Sequence, residues 1–103
     1  MRKSYTLTKS AKADLQEITR YTLEQWGLAQ CHTYIADIEK KAEALSTGNG
    51  VFKDMSAIMP NLRVAVSGKH YIFCLPQQNA PAIILAILHE KMDMIARLKH
   101  RLV

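Results

Sequence analysis

Residues 70–103 read HYIFCLPQQNAPAIILAILHEKMDMIARLKHRLV, and within them the hydrophobic period changes from that of strands to that of a helix. From His70 to Leu75 the pattern alternates, with Ile72 and Cys74 on one side and Tyr71, Phe73 and Leu75 on the other, as a strand requires. Gln77 to Pro81 is a turn, and Ala82 to Leu88 is an unbroken apolar run that suits a central strand covered on both faces. After Ile87-Leu88-His89-Glu90-Lys91-Met92-Asp93 the period becomes helical. Met92, Ile95, Leu98 and Leu102 then define one side of a short terminal helix, opposite Arg97, Lys99 and Arg101.

Immediately upstream, Leu62 to Ser67 also has period two, with Leu62, Val64 and Val66 facing away from Arg63, Ala65 and Ser67. Gly68-Lys69 makes a tight turn, so this segment pairs with 70–75 as a hairpin. The stretch from Ser46-Thr47-Gly48-Asn49-Gly50 to Pro60 has no period and reads as a loop. Upstream lie two helices. Ala11, Leu15, Ile18, Thr22 and Trp26 share one face of the first, which Thr8 or Ser10 caps and which places Asp14 in its first turn to suit the dipole. Gly27 stops it. Cys31, Ile35, Ile38, Ala42 and Leu45 stripe the second, from Leu28 to Leu45, and the near absence of a linker makes the two an antiparallel hairpin. Lys3 to Leu7 forms the first strand.

The order is therefore β-α-α-β-β-β-α, an α+β domain with the helical hairpin packed on one face of a mostly antiparallel sheet and a short C-terminal helix. At 103 residues and 49% apolar composition, one domain spanning 1–103 accounts for the whole chain. The terminal helix and loops alone are left to cover the other sheet face, which is expected to be partly open and to serve as a docking place.

Charge is uneven. Lys9 to Ser46 holds five basic and six acidic residues, whereas Arg63 to Val103 holds six basic and two acidic, so most of the net charge of +5 belongs to the second half. That favours an acidic partner, through an attraction that salt weakens. Cys31 and Cys74 fall in apolar patterns and read as buried thiols. The four histidines and two cysteines lack the paired spacing of zinc sites, and Gly48-Asn49-Gly50 lacks the lysine and helix of a phosphate loop, so no metal or cofactor is expected. No segment reaches membrane-spanning length and no export signal follows Met1, which places the chain in the cytoplasm.

The remaining polar residues fit three roles. Arg63, His70, His89 and Glu90 match the parts of a metal-independent ribonuclease: His89 or Glu90 as base, His70 as acid, Arg63 as electrostatic stabiliser. Alternatively they and the terminal cations form a docking surface and break no bond. In the third case Arg63 and His89 simply edge a sheet and the terminal helix is a solvated cap.

Asp14-Leu15, Ile18, Tyr21 and Trp26-Gly27, then Leu62-Arg63 and His70-Tyr71-Ile72-Phe73, then Ile87-Leu88-His89 with Met92-Asp93, together resemble ParE toxins of the RelE/ParE superfamily of toxin–antitoxin modules. The resemblance spans nearly the whole chain and implies a similar fold. It implies a type II toxin of the kind associated with plasmid maintenance, which inhibits DNA gyrase so that DNA is cleaved and replication stops. It also implies a ParD-like antitoxin that neutralises the toxin through a partly disordered acidic segment. Direct nucleic-acid binding and catalysis are then not expected. The RelE branch instead cuts mRNA on the ribosome, and Arg63 and His89 lie where its residues could sit. The terminal segment lacks the tyrosine of that branch, however, and Glu90-Lys91-Met92-Asp93 resembles the ParE form. Lys91 stands where ParE sequences often carry arginine, and Cys74 where an aromatic is common.

On this reading Lys91, Arg97, Lys99 and Arg101 are docking charges for the target, with Met92 and Met94 as apolar contacts. Leu15, Ile18, Trp26, Arg63 and Tyr71 are the antitoxin-facing residues, beside the helical hairpin and the open sheet face. For Trp26, its place on the apolar stripe argues first for a core role at the helix end and second for lining a groove. A third possibility keeps the fold as a nontoxic binding module.

Overall fold

The computed structural model describes residues 4–102. Elements run β1 (Tyr5–Leu7), α1 (Lys9–Trp26), α2 (Leu28–Thr47), β2 (Lys53–Asp54), β3 (Arg63–Ser67), β4 (His70–Gln77), β5 (Ala80–His89) and α3 (Met94–Leu102). Lys3, expected in the first strand, lies outside the described residues. The five strands form one sheet ordered β1-β5-β4-β3-β2, parallel only between β1 and β5. The α+β architecture and the helical hairpin are as the sequence pattern requires.

Thr8 caps α1 by accepting the Ala11 N–H at 3.0 Å, which satisfies one of the orphan donors of the first turn. Gly27, at φ 87°, is the single residue between the helices. It closes α1 by donating its N–H to the Leu23 carbonyl and opens α2 in a backbone conformation that side chains resist. Ala11 and Ile18 from α1, and Ile38, Ala42 and Leu45 from α2, pack on Ala65, Ile72, Cys74, Ala82, Ile84 and Ile87 to form one core layer. Cys31 and Cys74 are free buried thiols, consistent with their apolar context.

Several expectations are corrected. The loop after α2 contains β2, a two-residue edge strand paired with Arg63 and Val64; two residues are too few to show a period. The second sheet face is largely covered, because Met55, Ile58 and Met59 from that loop join Met94, Leu98 and Leu102 over Leu62, Val64, Phe73, Ala86 and Leu88. Strand β3 is consequently buried on both faces through Ala65, and the face stays open near Val66, which is 48% exposed. Trp26 is not in the core: at 68% exposure it projects from the last turn of α1. Asp14 lies in the second turn of α1, because the cap is Thr8, and its partners are not helix amides. Among the described residues no helix is long and apolar enough to cross a membrane.

The inner side of α3 also differs. Met94, Leu98, Arg101 and Leu102 turn inward, while Met92 precedes the helix and Ile95 is exposed. The spacing of four, three and one is a regular amphipathic stripe, and hydropathy hides it because one member is an arginine. Full burial of Leu98 contributes roughly 2 kcal/mol to holding α3 down.

Candidate functional site

Where α1, the end of α2 nearest Gly27 and the ends of β4 and β5 meet, the structure leaves an open groove of about 580 Å³. Ile18, Tyr21, Thr22 and Trp26 form one wall, Tyr34 and the Gly68–His70 turn the floor, and His89, Lys91 and Met92 the far rim. Tyr21 and Trp26 are both exposed, an apolar pair unusual on a helix facing solvent.

His70 and His89 are direct cross-strand partners with edge-to-face rings. The Tyr34 hydroxyl lies 2.6 Å from His70 Nδ1, accepts the Lys69 N–H at 3.1 Å and lies 3.4 Å from the Ser67 carbonyl. The phenol has one proton, and the shortest contact places it on the bond to Nδ1, leaving Nε2 as the protonated nitrogen of the neutral His70 ring. His89 Nδ1 accepts the Lys91 N–H at 3.1 Å, so its neutral ring likewise carries its proton on Nε2. Burial first, and the neighbouring His89 second, pull the His70 pKa down to about 4 against the upward pull of Asp14 and Glu90. The ring is therefore neutral at physiological pH. Burial also pushes the Tyr34 hydroxyl upward. Sequence reasoning missed Tyr34, although it sits three residues after Cys31 and four before Ile38, on the inward stripe of α2.

Arg63 does not join this cluster. Ser67 pairs with His70 and Arg63 with Cys74, so four strand residues, roughly 13 Å, separate the guanidinium's strand position from the imidazoles. Arg63 instead donates to the Leu45 carbonyl at 3.0 Å and lies over the Phe52 ring at 4.9 Å, closing the C-terminal end of α2. Glu90 is exposed, and its backbone N–H is tied to Lys69. The four candidate ribonuclease residues are thus divided between two places.

The antitoxin-facing set divides as well. Ile18 and Trp26 line the groove, Leu15 packs beneath it, Arg63 is at the far end of the sheet, and Tyr71 packs on the opposite face beside Val66. Of the target-facing set, Lys91, Met92, Arg97 and Lys99 are exposed, whereas Met94 is packed on the core. Arg101 is not a free charge. It forms a two-pronged ion pair with Asp14, at 2.6 and 2.8 Å, and the carboxylate raises the arginine's pKa. Among the described residues no group of three or more metal-binding side chains occurs.

Comparison with known proteins gives a consistent picture. Residues 5–94 match the family model described as the ParE toxin of type II toxin–antitoxin system, parDE. Toxin ParE of Escherichia coli is 50% identical over 99 residues, covering 96% of each chain. Toxin ParE1 of Caulobacter vibrioides is 28% identical over 96 residues, covering 93% of this chain and 98% of the relative. A solved structure titled "Chromosomal ParDE TA system from P. aeruginosa" superimposes with a TM-score of 0.63 at 18% identity, covering 82% of this chain and 92% of that one, a likeness of fold.

Proposed function

The chain belongs to the ParE toxin family of type II toxin–antitoxin systems, and from that we propose that it arrests replication in the cytoplasm by binding and inhibiting DNA gyrase, without catalysing a reaction itself. The observation that carries this reading is the family match across nearly the whole chain. The exposed basic surface around α3 supports it: Lys91, Arg97 and Lys99 supply long-range attraction, and Met92 supplies apolar contact. Met94 and Arg101 serve the same surface indirectly, by holding the helix.

A ParD-like antitoxin neutralises the toxin by laying an acidic segment along the groove, with the exposed Trp26 as its main apolar contact and Ile18, packed in the core, beneath it. The relatedness in fold to a ParDE system supports a partner of this kind. The ribosome-dependent endonuclease reading loses its footing, because Arg63 is spent on the end of α2 and stands apart from His70 and His89.

A supercoiling assay with purified gyrase tests the proposal. Excess toxin is expected to block supercoiling and accumulate cleaved DNA, and the antitoxin to restore activity. Undisturbed supercoiling at large toxin excess would remove gyrase as the target.

A further inference from the structure

Strand β5 has ten residues and β1 only three, so β1 covers the outer edge of β5 no further than Ile84. At that point the ladder with β4 slips: Cys74 faces Ile84 and Phe73 faces Ala86, leaving Leu85 as the extra residue of a bulge. Bulge and edge together leave backbone groups that need partners. The Leu85 carbonyl accepts from Thr8 Oγ1 and from Arg101 Nη1, each at 3.3 Å. The Ile87 N–H donates to Asp14 Oδ2 at 3.0 Å. Asp14 on α1 and Arg101 on α3 then bind each other across the strand edge, with side chains only 14% and 23% exposed.

Helix α3 has little else to fix its orientation. Leu98 is its one fully buried residue, and among the described residues no backbone hydrogen bond joins 94–102 to the sheet. Apolar contacts through Met94, Leu98 and Leu102 resist lifting, but they resist rolling poorly because they have no directional preference. A planar guanidinium gripping both oxygens of a carboxylate has a strong one. Arg97 lies on one flank of α3 and Ile95 with Lys99 on the other, so the roll of the helix decides what a partner meets.

We propose that Asp14 and Arg101 are positioning residues for target inhibition, setting the roll of α3 from the bulged edge of β5 while making no contact with the target themselves. The proposal rests on α3 being the gyrase-facing element. The test compares Arg101→Met, which keeps the stem, Asp14→Asn, which keeps an acceptor for Ile87, and Arg101→Lys, which keeps the charge. Each is followed by α3 amide exchange and by gyrase inhibition, with Lys99→Met as the contrast.

Arg101→Met and Asp14→Asn are expected to raise α3 exchange about tenfold and weaken inhibition by at least about that factor, with β3 to β5 still protected. Arg101→Lys should recover part of both. Lys99→Met should weaken inhibition with α3 exchange unchanged. Wild-type potency in Arg101→Met and Asp14→Asn, alongside an inhibitory parent protein, overturns the positioning role and leaves gyrase as the target. Failure of the parent protein to inhibit overturns the gyrase reading, and with it the inhibitory role of the pair. In that event unchanged α3 exchange in the variants would also refute the anchoring.

Discussion

His70 and His89 stand opposite each other in the β4–β5 ladder with their rings edge to face, 5.1 Å between centroids, and the Tyr34 hydroxyl is seated on the first of them. A half-buried imidazole beside another imidazole resists protonation, since the added charge loses water and gains a potential repulsion.

This has a consequence for acid stability. The folded pKa of His70, about 4, lies below its ordinary value of 6.5, so the unfolded chain binds more protons between these limits. Stability is complete above pH 6.5 and falls as pH drops towards 4, by about 1 kcal/mol once partial contact with water is allowed for. Urea midpoints measured across this range should show the slope in the native protein and a flatter one in His70→Asn. Equal slopes would contradict the assignment.

The Gly68 turn is set against the same tyrosine. Gly68 has φ 57°, and a Cβ there would meet Tyr34 Cε1 at 2.7 Å and Oη at 2.8 Å. Gly68→Ala should therefore cost about 2 kcal/mol or more, part from the left-handed backbone and part from the collision. Combining it with Tyr34→Ala should remove the second part, giving a non-additive double-mutant cycle by chemical denaturation. Tyr34→Phe alone should cost about 1 kcal/mol, because it removes the hydrogen bond to the part-buried His70 Nδ1, while water can replace the phenol at the exposed Lys69 N–H.

Trp26 separates binding from folding. Because its side chain is mostly in solvent, Trp26→Ala should change unfolding free energy by less than about 0.5 kcal/mol. The same substitution should weaken antitoxin binding by about tenfold or more, as loss of an exposed aromatic anchor does. Calorimetric titration with the antitoxin checks this, and unaltered affinity would move the antitoxin off the groove.

Charge reversals on α3 should divide into two classes. Arg97→Glu with Lys99→Glu should abolish growth arrest at nearly unchanged stability, because both side chains are exposed. Arg101→Glu should instead destabilise by about 2 kcal/mol or more, since it sets a second carboxylate against the partly buried Asp14. Thermal melts and growth after induction distinguish them. Equal stability loss in both would mean that Arg101 has no special partner.

The helices, the hairpin of β3 and β4 and the long apolar β5 were legible because each rests on local periodicity, caps and turns. Residues such as Ile38 and Ile72 declare their burial through neighbours three or two positions away. The two-residue β2 gave no such signal, since it exists only because β3 lies beside it.

The candidate site was less legible. The residue types, the basic second half and the resemblance to ParE toxins depend on composition and order alone, so they can be read along the chain. Contacts between distant elements are what take Arg63 from the histidines to Leu45, leave Trp26 in solvent, and turn Arg101 inward to Asp14, 87 positions away in the chain. Hydropathy assigns an arginine to the surface. The partner that reverses this is a carboxylate on another helix, brought within reach by the bulge in β5 and the early end of β1.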